Sequence, residues 1–371
     1  MARGMLPALT MVAALAAMAL TTSTPTTSTP TVSMPAADKI YVSSENFASD
    51  ESMRDLYERW YALYRRDSEP SDKEKRFAIF KEEARAVYEL NDGDTDVKRH
   101  LNLFADMTLA EYAKSFANCS PLKIRPRDNI KLKLHQPSQY YPDNLPLNFD
   151  WRTVDGVLTS VKTQGECRSC WAFAAAGAME SIHFITNNKR TNLSVQELVD
   201  CTYKDNGCDG GSAYEAFQYV INKHGIHSSE QYPYVGNGSH CTTPLGLPVM
   251  SIRRYYYVTH GSEKMLMDAV HKAPVVITFM GVNTTEFKHY SGGIFRGPCN
   301  HRESHQALLV GYGTMPRDDA NHRGIKYWVV KNSWGESWGE RGYMRIERGH
   351  QADGGLCGIM LWPGLYPAHP E

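Results

Sequence analysis

The stretch QGECRSCWAF, Gln164 to Phe173, sets two cysteines with two residues between them at the mouth of an apolar run. How these sulfurs are used decides the fold. A redox pair, half of a zinc site, and a nucleophile beside a structural disulfide all fit the ten residues, in a chain with eight cysteines. The run that follows, SCWAFAAAGAMESIHFI from Ser169 to Ile185, reads as a long apolar helix that begins near Ser169.

A thiolate on Cys170 would sit in the first turn of that helix, where unpaired N–H groups and the positive end of the dipole favour an anion. It needs an imidazole to hold its proton and pass it to a leaving group. The imidazole needs an orienting acceptor, and a developing oxyanion needs a donor. His305 lies in ESHQALLVGYG just ahead of a strand, Asn332 in VKNSWGESWG at the end of one, and Gln164 six residues before Cys170. Fourteen histidines compete for the role of base, and an Asn after a strand is often only a turn former. The rival readings fare worse. Cys167, Cys170, Cys201 and Cys208 lack the spacing of compact zinc fingers. A thioredoxin-like pair expects a βαβ context that the residues around QGEC do not supply.

The rest of the chain narrows the choice. Its 371 residues allow one large or two modest domains. A formal charge of -1 and a pI near 6.9 give no reason to expect nucleic acid. Arg3 precedes the apolar stretch Leu6 to Leu20, and AMA at 17–19 is a small-residue cleavage pattern, so residues 1–20 read as a secretory signal peptide. About fifteen apolar-leaning residues fall short of the roughly 20 that a membrane span requires. TTSTPTTSTPTVSMP follows, and residues 21–50 are expected to be a spacer without a core. Secretory entry makes disulfides the default for most of Cys119, Cys167, Cys170, Cys201, Cys208, Cys241, Cys299 and Cys357. Sequons at Asn118, Asn192, Asn237 and Asn283 are compatible with that route and with a glycoprotein.

Two amphipathic helices are expected between Ser52 and Asn91, with stripes Leu56, Trp60, Leu63 and Phe77, Phe80, Ala84, Val87. A Lys-, Pro- and Arg-rich segment from Ser120 to Pro146 reads as a linker open to proteolysis. Ser194 and Glu197 carry a capping-box signature, and Gly225 reads as the C-cap of the helix in SAYEAFQYVINKHG. Beyond residue 250, SIRRYYYV, APVVITF, QALLVGYG, KYWVVKNS and GYMRIER are strand-like. Helices first and an antiparallel-looking sheet after make the class α+β, with two lobes and a cleft between them.

From about Ser52 to Tyr366 the chain resembles the papain-like cysteine proteases, and more closely the plant-type secreted or vacuolar members with an inhibitory propeptide. The Q-G-x-C-G-S-C-W block is here Gln164, Gly165, Glu166, Cys167, Arg168, Ser169, Cys170, Trp171. The resemblance implies a helical N-terminal lobe and an antiparallel β-barrel-like C-terminal lobe, preceded by a helical propeptide domain. It implies Cys170 as nucleophile, Gln164 as oxyanion donor, His305 as general base and Asn332 as its orienting partner, with Trp334 and Trp338 shielding that bond. The separation of 135 residues between Cys170 and His305 suits such proteins. It further implies the disulfides Cys167–Cys208, Cys201–Cys241 and Cys299–Cys357, with Cys170 unbridged and Cys119 left over.

The propeptide motif E-x3-R-x3-F-x2-N-x3-I-x3-N appears loosely as Asp72, Arg76, Phe80, Glu83, Val87, Asn91, and G-x-N-x-F-x-D as His100, Asn102, Phe104, Asp106. The expected division is a helical inhibitory domain at 51–118, a propeptide tail and activation linker at 119–144, and a mature peptidase at 145–371, since LPLNFDWR resembles a mature N-terminus. Implied partners are protein and peptide substrates, the chain's own propeptide as inhibitor, and cystatin-type inhibitors. The product is expected to be a monomer without membrane span, metal or organic cofactor, destined for vacuole, lysosome or the extracellular space.

Three departures concern the cleft. Arg168 replaces a glycine, with Glu166 or solvent as its expected neighbour. Gly210 and Gly211 retain a backbone edge for an extended peptide, and Ser212, Ala213, Thr278, Gln306 and Trp362 are placed around the main specificity pocket. Gln306 and Trp362 are bulkier than the family pattern there, so small or medium aliphatic side chains are expected to fit best. Ser304 stands where relatives carry Asp or Asn. These changes keep open a second reading, a catalytically degenerate relative that binds or stores.

Overall fold

The computed structural model describes residues 39–65, 72–93, 96–116, 132–137, 145–203, 205–242, 244, 246–300, 303–316 and 324–368. The expected signal peptide, most of the spacer, Asn118 and Cys119 lie outside them. Helix α1 (Asp50–Tyr64) starts where the Ser49 side chain accepts the Ser52 N–H, and Asp50 and Glu51 complement the dipole of its first turn. Helix α2 (Lys73–Gly93) lies against it. Met53, Leu56, Tyr57 and Trp60 meet Phe77, Phe80, Ala84 and Val87 in a small closed core. Leu63, expected in the stripe, is only half-buried, because Tyr57 and Met53 complete the face instead.

The helical lobe is built from α4 (Cys170–Asn187), α5 (Val195–Cys201) and α6 (Ala213–Asn222). Ser194 caps α5 by accepting the Glu197 N–H at 2.9 Å. The Glu197 carboxylate turns away to the Tyr219 hydroxyl and the His227 N–H, so only half of the expected capping box forms. Helix α6 ends earlier than Gly225, and His224 takes the left-handed conformation (φ 60). Gly225 still accepts no substitute, since a Cβ there would come within 2.4 Å of Pro248.

The second lobe is one sheet whose strands run β2 (Leu132–Leu134), β4 (Arg254–Val258), β11 (Gly364–Ala368), β5 (Val275–Met280), β8 (Ser304–Thr314), β9 (Lys326–Lys331), β10 (Tyr343–Arg348) and β7 (Ile294–Phe295), with β3 (Phe149–Asp150) also on β8. All pairings are antiparallel except β2 with β4 and β10 with β7. Strand β8 is buried along all but its last residue, because both α4 and α7 (Glu263–Lys272) pack on it. It therefore reads as a continuous apolar run and not as an alternating one. Strand β2 is one element that the sequence did not reveal. The segment expected to be a bare linker adds an edge strand to the sheet, and His135 beyond it is buried between Asp268 and the Tyr366 hydroxyl. Its short Leu-Lys-Leu run carries little propensity of its own; the open edge of β4 supplies the order.

The propeptide docks through charge as well as shape. Strand β1 (Lys98–Arg99) pairs with β6 (Tyr290–Gly292), and Asn102 donates to the Lys288 carbonyl at 2.8 Å. Glu83, standing where the propeptide motif has Asn, meets both Lys288 and His289, at the end of α8 (Thr285–Lys288), at 2.9 Å. His100, at the motif's glycine position, is fully buried, and burial holds its imidazole down at about 3. His289 is lowered for the same first reason, although the Glu83 hydrogen bond works against it.

Histidines whose pKa is depressed on docking bind fewer protons docked than released. Docking is therefore strongest above the free histidine value and weakens as pH falls from about 6.5 toward the depressed one, by up to about 1.4 kcal/mol per pH unit for His100. His100→Gln removes this proton linkage. The expected outcome is a zymogen whose half-conversion pH, followed by electrophoresis after acidification, lies below that of the parent.

Candidate active site

Cys170 opens α4 as its first residue, and its side chain is almost wholly buried. The bridge Cys167–Cys208 lies beside it, and Cys201–Cys241 and Cys299–Cys357 complete the described pairs. One expectation is overturned here: Cys170 is itself disulfide-bonded in this full-length form. Its sulfur is not an available nucleophile in this form.

His305 stands second in β8, opposite Phe279 of β5. Its Nε2 lies 2.8 Å from Asn332 Oδ1, just past the end of β9. An amide oxygen can only accept, so Nε2 carries the proton and Nδ1 the lone pair in the neutral ring. Burial lowers the imidazole to about 4, while the Asn332 bond and a backbone contact from Phe116 oppose the shift. The ring is neutral, as it must be with no thiolate beside it to offset a charge. Trp334 covers it with ring centroids 4.8 Å apart, and Trp338 backs Trp334 edge-on at 5.0 Å.

Gln164 is buried next to this group. Its Nε2 donates to the Cys167 carbonyl at 2.9 Å, which leaves the second hydrogen of that amide for another acceptor. Its Oε1 accepts from Ser333 Oγ at 2.8 Å, and its backbone carbonyl accepts from the Tyr234 hydroxyl at 2.7 Å. Tyr234 and Ser333 thus fix the donor, yet Tyr234 lies in an ordinary YPY turn that carries no sequence signal. Glu180 is the other residue that sequence reasoning missed, although a carboxylate inside an apolar helix is a legible sign. It accepts from Lys162 Nζ (2.8 Å), Thr159 Oγ1 (2.5 Å) and the Leu193 N–H (2.8 Å). Lys331, one residue before Asn332, donates to the Thr159 carbonyl at 2.7 Å. Burial brings its ammonium down to about 8, with Glu180 opposing. This cluster ties the nucleophile's helix to the strand that carries Asn332.

The expected pocket residues come together only in part. Gln306 faces Thr278 across the β5–β8 pairing. Its amide is spent on backbone, Oε1 accepting the Ala213 N–H at 3.1 Å and Nε2 donating to the Gly211 carbonyl at 3.2 Å. Ser212 caps α6 through its side chain. Gly211 leans on the Trp171 ring, which a Cβ would meet at 2.5 Å, and Gly210 holds φ 109. Trp362 packs half-buried against the core of the helical lobe. Arg168 does not pair with Glu166. Its guanidinium meets Asp209, brought alongside by the Cys167–Cys208 bridge, and Nε donates to the Cys208 carbonyl at 3.3 Å.

The papain family cysteine protease model matches residues 145–362, and the cathepsin propeptide inhibitor domain (I29) model matches 57–112. The chain belongs to the papain family of cysteine proteases. It is 38% identical to vignain of Ricinus communis over 320 residues, 84% of this chain and 85% of that one. It is 36% identical to thiol protease SEN102 of Hemerocallis sp., covering 90% and 92%. The recombinant stem bromelain precursor is similar in structure, with a TM-score of 0.76, 33% identity, and coverage of 86% of this chain and 99% of that one. The protein is thus a cysteine endopeptidase made as a latent zymogen that carries its own inhibitor domain. Its fold is α+β and papain-like. Among the described residues, no helix is long and apolar enough to cross a membrane, and no group of three or more His, Cys, Asp or Glu is placed to hold a metal.

Glu180→Gln would strip the counter-charge from Lys162 and the buried Lys331. Breaking such a pair costs about 3–5 kcal/mol when fully buried, and Lys162 is a quarter exposed. A loss of about 2–4 kcal/mol is expected, read as a lowered urea midpoint of the zymogen.

Proposed function

We propose that the endopeptidase works through Cys170, His305, Asn332 and Gln164 once the propeptide is gone and the Cys170 sulfur released. Thiolate Cys170, at the positive end of α4, attacks the scissile carbonyl. The Gln164 amide and the Cys170 N–H hold the oxyanion, and His305, oriented by Asn332, protonates the leaving amine. Water then hydrolyses the thioester with His305 again as base. The single observation that carries this reading is the 2.8 Å contact between His305 and Asn332 under Trp334, which fixes the tautomer with its lone pair on Nδ1. The degenerate binding or storage reading finds no comparable support, since every polar group needed for catalysis is present and buried. An epoxide-type thiol-protease inhibitor, added to processed protein under reducing conditions, should label Cys170 stoichiometrically. Absence of label would favour the binder.

The remaining assignments belong to the same reading. Residues 1–20 serve as signal peptide, 21–50 as spacer, 51–118 as inhibitory domain and 119–144 as the tail removed on activation, giving a monomeric peptidase from 145 onward. Entry to the secretory pathway leads it to a vacuole or lysosome or to the extracellular space, where cystatin-type proteins would be its inhibitors. The cleft takes an extended peptide along Gly210 and Gly211. Gln306, anchored at both ends of its amide, stays in the pocket formed with Ser212, Ala213, Thr278 and Trp362 and excludes large aromatic side chains.

Overpacking costs about 1–3 kcal/mol, and about 1.4 kcal/mol, in the lower half of that range, is roughly tenfold in rate. A reporter with valine at the position before the scissile residue should therefore be cleaved with about tenfold higher kcat/KM than its phenylalanine counterpart. Gln306→Ala should close most of that gap. Equal cleavage of both reporters by the parent enzyme would remove the pocket assignment.

A further inference from the structure

The chain ahead of the peptidase touches it at a second place, away from the cleft. The cleft is covered by α3 (Leu109–Phe116), whose Tyr112 and Phe116 pack on Trp334. Strand β2 lies elsewhere: β4, β11 and β5 separate it in the sheet from β8, which carries His305. Leu132, Lys133 and Leu134 run parallel to Tyr255, Tyr256 and Tyr257 of β4, and the His135 N–H extends the ladder to the Tyr257 carbonyl at 2.8 Å. Lys133 and Leu134 are exposed, whereas His135 is sunk to 1% exposure.

The socket around His135 is shaped for a neutral imidazole. Asp268 Oδ2, on α7, lies 2.9 Å from its Nε2, and the Tyr366 hydroxyl, on β11, lies 2.7 Å from its Nδ1. A carboxylate only accepts and a phenol can donate, so Nε2 carries the proton and Nδ1 takes the Tyr366 hydrogen. An amine or guanidinium offers the phenol no acceptor, and a phenyl ring answers neither group. Lys272 closes the rim: its Nζ donates to the Gln136 carbonyl at 2.9 Å and lies 3.3 Å from Asp268 Oδ2. Main-chain pairing for affinity and a side-chain pocket for selectivity are the means by which sheet edges take extended peptides.

Loss of β2 would strip this cover. The β4 edge would then be unpaired on that side, and the socket between Asp268 and Tyr366 would be open. An unpaired edge is a template for another chain, and the run Tyr255–Tyr257 carries no proline to blunt it.

We propose that this edge and socket form a peptide-binding exosite of the processed peptidase, filled in the zymogen by the chain's own Leu132–Gln136 and taken, once the tail has left, by an extended histidine-bearing segment of a protein substrate. The proposal rests on the reading of residues 119–144 as a tail removed on activation. The chain's own segment is the template for that ligand, since it shows the strand direction, the register and the side chain that the socket accepts. A substrate held at β4 presents the rest of its length to the cleft at a raised effective concentration. Holding of this kind lowers KM for proteins that carry the segment and leaves short reporters unchanged.

The test uses processed enzyme whose first residue, read by mass spectrometry, lies beyond Pro137, with its cleft blocked by an epoxide-type inhibitor. A fluorescein-labelled Leu-Lys-Leu-His-Gln-Pro peptide, the sequence of residues 132–137, should bind saturably by fluorescence polarisation at neutral pH. The same peptide with Phe in place of His should bind at least about tenfold more weakly, because both ring-nitrogen contacts are lost. Asp268→Ala should weaken the parent peptide while cleavage of short reporters stays at the parent rate. The full-length zymogen, with its own segment in place, should not bind. No saturable binding, equal binding of the His and Phe peptides, or equal binding by the zymogen would overturn the exosite. So would native mass spectrometry that finds the edge held by the cleaved tail or by a second copy of the processed chain. The readings fail separately: a processed enzyme that begins before Leu132 refutes removal of the tail and the exosite with it, whereas one that begins beyond Pro137 and ignores the peptide refutes the exosite alone.

Discussion

Everything in this molecule converges on the indole of Trp334. One face of it covers His305 at 4.8 Å and keeps water from the bond to Asn332. Its edges are held by Phe287 and Trp338. Phe104, Tyr112 and Phe116 of the propeptide pack against what remains, all in edge-to-face geometry. Such pairs contribute about 0.5–1.5 kcal/mol each beyond the area they bury. The surface that keeps the imidazole oriented is therefore the surface that the inhibitor grips. Weakening the grip by altering Trp334 would also loosen the base, so inhibition and catalysis are built on one shared contact.

The two lobes are tied below that ring by polar links, and these links set where the cleft can lie. Glu180 on α4, Thr159, and Lys331 on β9 connect the helix that presents the sulfur to the strand that presents Asn332. Gln306 reaches from β8 to the Gly211 and Ala213 backbone on the helical side. Both links are buried and nearly saturated, so they resist sliding of one lobe on the other. Burial lowers Lys331 and His305 alike, but only His305 loses its charge near neutrality, and the Lys331 ammonium is balanced by Glu180.

Much of this was legible in the sequence because it depends on local pattern. The apolar run after Cys170, the strand-like runs beyond residue 250 and the paired stripes of α1 and α2 each carry their own periodicity. What failed to show was set by distant neighbours. Strand β2 exists because the edge of β4 was open, and its Leu-Lys-Leu run alone has too few residues to declare itself. Glu83 looked like a lapse from the propeptide motif, and only the fold brings Lys288 and His289 to it. The Arg168–Asp209 pair was half visible: each follows a cysteine of one bridge, so the pairing of Cys167 with Cys208 sets them side by side. The state of Cys170 was hidden for a related reason. A sequence gives the number of sulfurs, and the choice among pairings belongs to three-dimensional proximity.

Acid acts on latency at the docking face and not in the catalytic group. His100 and His289 are buried there in neutral form, and each would have to take a proton into a place that burial makes hostile to charge. Glu83 and Asn102 bind the same face, through Lys288 and His289. The contacts that cover the catalytic imidazole do not answer to acid in this way, because Phe104, Tyr112 and Phe116 hold Trp334 by ring packing. The propeptide is therefore loosened first at the Lys288–His289 face, and the aromatic grip at the cleft, left without its second anchor, gives way after it.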